Sequence, residues 1–167
     1  GFWSHAVVLD AIIHHYEFTQ DDRVIPLMTR YFEYCRDLPD DKFMPDEVTI
    51  DKRRPCEMIP HIHWLYNHSG QKWLLGLATR FFKHFPHTTD RWPGRENMLM
   101  ADPNNRARRY RTDEWLSHHV VGFAHRFRYP GSYYPQSRAQ WHLAATDYWY
   151  DQHMATWGQQ PRGIFGG

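Results

Sequence analysis

Two cysteines in 167 residues cannot build a disulfide framework. Cys35 and Cys56 therefore leave the redox compartment open, and the fold must hold itself together by burial. No apolar run approaches the ~18 residues that a membrane-spanning helix needs, so no membrane partner is expected. Neither sign of charge is in excess: 20 Lys and Arg against 19 Asp and Glu give a formal net charge of +1. That balance argues against a nucleic-acid partner. The run Arg106, Arg108, Arg109, Arg111 with Tyr110 is basic, but in so balanced a chain it reads as a solvated loop. Cys-x-x-Cys, His-Glu-x-x-His, phosphate-loop and Gly-x-Ser-x-Gly runs are all missing. An initiating Met is missing too. Gly1 and Gly166-Gly167 are the ends expected of a piece of a longer chain, amounting to one domain or part of one.

Rings are plentiful: eight Trp and ten Tyr exceed what an ordinary core uses. A ring with a polar tip suits a sugar-binding wall, and it equally suits a helix–helix interface filled by aromatic knobs. Both readings fit the composition.

One short pattern occurs three times. It reads Tyr16-Glu17-Phe18-Thr19, Tyr66-Asn67-His68-Ser69 and Tyr134-Pro135-Gln136-Ser137. Each copy closes one apolar-periodic segment and opens another. Val24, Leu27, Met28, Tyr31 and Phe32 follow the first copy. Trp73, Leu74, Leu77, Ala78, Phe81 and Phe82 follow the second, and Trp141, Ala144, Ala145 and Tyr148 the third. Apolar residues three and four apart make one stripe on a helix. Each copy thus reads as the turn of a helix hairpin, its Ser or Thr accepting from an amide the new helix leaves orphaned. Ser137 with Gln140 has capping-box spacing. The uneven intervals argue against a strict solenoid and favour hairpins joined by long functional loops, as in an α/α toroid.

The expected elements follow. A first helix covers Phe2 to Tyr16, with Phe2, Ala6, Leu9, Ile13 and Tyr16 on one stripe. Val8, Ile12 and His15 widen that stripe, which predicts a well-buried helix. A second helix runs from about Arg23 to Cys35, with Pro26 tolerable only near its first turn. Residues 39 to about 53 read as loop, with a short strand at Val48, Thr49 and Ile50. A helix from Cys56 to His68 must start late or kink at Pro60. Its partner spans Gln71 to Phe85. The stretch Pro86 to Arg111 is irregular. A fifth helix starts near Thr112 or Asp113 and is kinked or interrupted at Tyr129-Pro130-Gly131. A sixth spans Ser137 to about Trp157, with Gly158 as its cap. The fold class is all-α: antiparallel hairpins forming about half of an (α/α)6 toroid, with residues 1–167 as part of one domain.

Thirteen histidines invite a metal site. Metal ligands must share a face, however, and neighbours such as His14-His15 or His118-His119 point about 100° apart on a helix. His61 and His63 diverge further. His118 and His125, seven apart, could share a face, but no Cys-x-x-Cys or His-Glu-x-x-His run accompanies them, and no metal site is expected within these residues. Glycoside hydrolysis needs two carboxyl groups across the scissile bond. Asp10, Glu17, Glu57, Asp113 and Glu114 are the candidates. Glu57 opens a helix just after a long loop, where a toroid's site would lie, although a first-turn carboxylate is also an ordinary partner of the helix dipole.

The segments "GFW…LDAIIHHYEFTQDDRVIPLMTRYFEYC", "WLYNHSGQKWLLGLA", "SHHVVGFAHRFRYPGSYYPQS" and "GQQPRGIFGG" resemble, in that order, the catalytic domain of the β-L-arabinofuranosidase-like glycoside hydrolases. The resemblance implies an (α/α)6 toroid and retaining hydrolysis of non-reducing L-arabinofuranose or related sugars. It implies, for several members, a Cys nucleophile held beside zinc by other Cys and a Glu, with a second Glu as acid/base. Cys35 and Cys56 do not match that motif, so the catalytic centre is expected beyond these residues. No cofactor is then expected here, with zinc a feature of the full-length enzyme, and the partner is a carbohydrate. Substrate binding carries over: His119 matches the His of the family's "H-x-V-N" run, whose Asn is Gly122 here. Glu57 matches an acidic position before "WLYN", followed here by Met58. His118 adjoins His119 in a pair that permits a one-residue slip, and Trp3 and Trp64 serve as ring platforms or as core. Two other classes fit the same hairpins: a non-catalytic helical-repeat binding protein, and another α/α-toroid enzyme such as a polysaccharide lyase.

Overall fold

The computed structural model describes residues 2–43, 57–83 and 120–156. In it the three repeated junctions fold alike. The residue after each Ser or Thr has positive φ: Gln20 at 54°, Gly70 at 68° and Arg138 at 56°. Its amide donates to the carbonyl of the junction Tyr, over 2.7 Å to Tyr16, 2.8 Å to Tyr66 and 2.9 Å to Tyr134. The next amide donates to the hydroxyl: Asp21 to Thr19, Gln71 to Ser69 and Ala139 to Ser137, at 3.3, 3.4 and 3.3 Å. A left-handed residue ends a helix while satisfying its last carbonyls, at a cost of about 1 kcal/mol where the residue is not glycine. The hydroxyl thus serves the turn rather than the new helix. The capping box does not form either: Gln140 donates its amide nitrogen to the Tyr134 hydroxyl at 3.2 Å.

Two units result, residues Gly1–Pro86 and His87–Gly167. The first unit contains α1 (Phe2–Thr19), α2 (Val24–Asp37), a one-turn α3 (Asp40–Phe43), α4 (Met58–Ser69) and α5 (Trp73–Lys83). The second contains α6 (Val120–Ser137) and α7 (Gln140–Thr156). Every described element is helical, as the sequence predicts. The expected strand at Val48–Ile50 lies outside the described residues.

In the first unit, α4 packs on α1, α2 and α5. The buried stripes are Phe2, Ala6 and Leu9 on α1, Val24, Met28, Phe32 and Cys35 on α2, and Met58, Ile59, Ile62 and Leu65 on α4. From α5 come Leu74, Leu77, Ala78, Phe81 and Phe82. Full burial of each large apolar side chain contributes about 2 kcal/mol. The second stripe of α1 is not buried: Val8 is 56% exposed and His15 is also exposed. Among the described residues α1 is buried along Phe2, Ala6 and Leu9, so its full apolar breadth does not translate into burial. Ala11 and His15 are exposed and Ile12 is half-buried.

The stretch read as loop after Pro39 contains α3. Lys42 and Phe43 donate their amides to the Pro39 carbonyl at 3.0 and 2.8 Å. That turn swings Phe43 into the core, where its ring lies 5.2 Å from Phe2 and 4.7 Å from Phe81 between centroids. Arg80 on α5 ties the turn down. Its guanidinium donates to the carbonyls of Cys35, Arg36 and Leu38 at 3.3, 2.9 and 2.7 Å, and to Asp40 Oδ1 at 2.6 Å. The same group lies 3.9 Å above the Phe43 ring. One cation thereby satisfies the orphan carbonyls that end α2.

Pro26 and Pro60 each stand third in their helices, where no intrahelical amide bond is lost. Pro60 therefore fits as a late start, from Met58 rather than Cys56. In the second unit the expected interruption does not occur: α6 runs through Pro130 and Pro135. Packing against α7 overrides the local penalty. Gly131 donates its amide across to Thr146 Oγ1 at 2.9 Å, and Tyr129, Tyr133, Ala145, Tyr148 and His142 are buried.

Candidate functional site

α4 carries polar groups where it meets α1. Glu57, His61, Trp64 and His68 follow at spacings of four, three and four, so they share one face. On α1, Asp10 and Glu17 stand seven apart and likewise share a face. The two stripes meet. His61 Nε2 lies 2.8 Å from Asp10 Oδ1, Trp64 Nε1 donates to Glu17 Oε1 at 2.7 Å, and His68 Nε2 stands 3.8 Å from the same oxygen. His68 Nδ1 donates to the Trp64 carbonyl at 2.8 Å, which fixes that ring. Tyr16 meets the Trp64 and His68 rings edge-on at 5.3 and 5.4 Å.

The N-terminal end of α4 is buried. Glu57 is 6% exposed at the N-terminus of α4, with its Oε1 closed off from solvent. The His61 side chain is 7% exposed, while its partner Asp10 is 64% exposed. The Trp64 ring is half-buried, covered by His68 at 4.0 Å and anchored through Nε1. Along the helix Glu57 and Trp64 stand about 10 Å apart, at 1.5 Å per residue.

Of the residues singled out from sequence, the structure thus puts Glu57 and Trp64 on one face of one helix. Trp3 belongs to α1, but its side chain lies outside the described residues, as do His118 and His119. So do Asp113 and Glu114. Asp10 and Glu17 were legible as carboxylates; their imidazole and indole partners were not. By sequence His61 stands out only as a histidine two residues before His63. Its spacing from Glu57 and Trp64 was the available signal.

The other histidines disperse as helical geometry requires. His14 donates to the Asp10 carbonyl at 2.7 Å, and His15 turns to Asp21 Oδ2 at 3.3 Å. Among the described residues no three His, Cys, Asp or Glu gather as a metal would need. Cys35 is fully buried, and burial pushes its thiol up to about 11. Zinc and nucleophilic chemistry both require the thiolate. The described residues therefore do not fit the zinc centre that the resemblance implies for the full-length enzyme. Burial acts on His142 in the opposite sense, lowering it to about 4, so the ring beside Ser137 is neutral near pH 7.

The family profile described as "Beta-L-arabinofuranosidase, GH127 catalytic domain" matches residues 2–152. The chain belongs to this family. No curated protein and no solved structure matches it. Membership places this GH127 chain among glycoside hydrolases of arabinofuranosidase type, whose partner is a carbohydrate. No described helix of the GH127 chain is long and apolar enough to cross a membrane.

Proposed function

We propose that residues 1–167 form part of an (α/α)6-toroid catalytic domain. The enzyme releases non-reducing L-arabinofuranose or a related plant-polysaccharide sugar, and this part supplies substrate contacts. The match over residues 2–152 carries the reading. Three hairpins closed by one turn geometry are the kind of unit from which an α/α toroid is assembled.

Hydrolysis proceeds by acid-assisted departure of the aglycone through an oxocarbenium-like state. Glu57 and His119 orient sugar hydroxyls through hydrogen bonds that strengthen in that state, with His118, Trp3 and Trp64 completing the wall. Support for Glu57 comes from its burial beside the polar seam: a desolvated carboxylate binds a hydroxyl more strongly than one in water. The nucleophile and acid/base belong to a Cys and Glu centre elsewhere in the enzyme, since the Cys35 thiol is buried and neutral.

Incubation with p-nitrophenyl β-L-arabinofuranoside tests this division of labour. The full-length enzyme should release p-nitrophenol, and residues 1–167 alone should release none above background. Turnover by residues 1–167 alone would overturn it.

A further inference from the structure

We propose that Asp10 is a positioning residue for Glu57, acting through His61. The inference rests on the reading that Glu57 touches the sugar. A carboxylate has no proton to give, so in the 2.8 Å contact His61 Nε2–H is the donor and Asp10 Oδ1 the acceptor. His61 Nδ1 is shielded from solvent and has no hydrogen-bond partner among the described residues. A proton there would leave a buried donor unsatisfied, at a cost that a bare lone pair reduces. The pair therefore selects the neutral tautomer protonated at Nε2.

Glu57 stands one helical turn before His61 on the same face, and helical side chains lean toward the preceding turn. The His61 ring accordingly lies over the turn that carries Glu57. Both groups are more than nine-tenths buried, and Asp10 is the member that reaches water. A seam needed only to pack two helices would be apolar at this depth, because buried polar groups cost stability. The bond from Trp64 to Glu17, two turns of α1 further on, keeps Asp10 opposite His61. Asp10 thus fixes the rotation and tautomer of the imidazole. The imidazole in turn gives the Glu57 carboxyl a fixed neighbour.

The test uses the full-length protein with ¹⁵N-labelled histidine and ¹³C-labelled glutamate. Asp10→Asn keeps an acceptor oxygen in nearly the same shape, and Asp10→Leu removes it. Wild type and Asp10→Asn should show His61 protonated at Nε2 alone, with the Glu57 carboxyl signal unmoved between them. Asp10→Leu should show mixed tautomers and a displaced Glu57 signal. With an arabinofuranoside substrate, Asp10→Leu should lower kcat about tenfold with KM within about twofold, and Asp10→Asn should restore most of it. Protonation at Nδ1 in wild type, or a Glu57 signal indifferent to Asp10→Leu, would overturn the proposal. So would wild-type kcat in an Asp10→Leu enzyme whose tautomer has shifted. If no arabinofuranoside is hydrolysed, the earlier reading fails, while the two NMR signals still decide the Asp10–His61–Glu57 coupling.

Discussion

Replacing Arg80 by Met keeps most of the stem's bulk and removes every donor. Three carbonyls and one carboxylate lose a partner: those of Cys35, Arg36 and Leu38, and Asp40 Oδ1. The ion pair with Asp40 counts for little, because that carboxylate is 78% exposed and an exposed pair is worth at most about 1 kcal/mol. The carbonyls of Cys35 and Leu38 are partly shielded, and a hydrogen bond from a charged donor contributes roughly 1.5–3 kcal/mol before water replaces it. Loss of the contact over the Phe43 ring adds about 0.5–1 kcal/mol. Water can reach the vacated carbonyls once the guanidinium leaves, so the net expectation is about 3 kcal/mol rather than the full sum. Urea unfolding followed by far-UV circular dichroism checks it. With a slope of about 2 kcal/mol per molar, the midpoint should fall by roughly 1.5 M. Arg80→Lys should recover less than half, because an ammonium cannot reach both sides of the turn at once. A midpoint within 0.3 M of wild type for Arg80→Met, on the order of the error of such fits, would refute the clamp.

The remaining predictions concern a titration, a close contact and a shared turn. His142 titrates at about 4 in the fold against 6.5 for the ordinary imidazole. The depressed value means that the unfolded chain takes up the proton first. Stability is therefore complete above about pH 6.5 and falls by roughly 3 kcal/mol as pH drops toward 4. Unfolding curves at stepped pH should show this loss in wild type and a correspondingly flatter profile in His142→Gln. Gly131→Ala places a Cβ 3.0 Å from Thr146 Oγ1 and should destabilise by about 1 kcal/mol. In a Thr146→Ala background the same change should become stabilising, since Ala is the better helix former by about 1 kcal/mol. At the shared turn, Gln20→Gly and Arg138→Gly should each gain about 1 kcal/mol by relieving positive φ. Gly70→Ala should lose about as much although nothing lies within 4 Å of the added carbon, so only backbone strain can be responsible. Paired thermal melts of the three variants would show whether the junctions are equivalent.

Short-range chemistry was readable in this sequence. A Tyr and a hydroxyl residue three later mark each hairpin turn, because the carbonyl, the left-handed residue and the hydroxyl all lie within six residues. The core stripes of α2, α4 and α5 were readable for the same reason. Two expectations failed where packing decides. The second stripe of α1 is largely apolar, yet Val8 and His15 on it are exposed. Pro130 should break a helix in isolation, yet Gly131 finds Thr146 across the hairpin and α6 continues. The seam shows the deeper limit. Asp10 and Glu57 could be named as carboxylates, but Asp10 meets His61 across a separation of 51 residues. Nothing in spacing pairs residues on two helices until the fold has brought them together. Turn chemistry could predict that the helices reverse, but not which faces they present to each other.

The most direct measurement of the central claim is the activity of the full-length enzyme carrying Glu57→Gln, with p-nitrophenyl β-L-arabinofuranoside as substrate. The buried carboxyl is held to orient a sugar hydroxyl more firmly in the transition state than in the ground state. The variant should therefore lose roughly 100-fold in kcat/KM, mostly in kcat, while melting within a few degrees of wild type. Wild-type kcat/KM in a folded Glu57→Gln enzyme would contradict it.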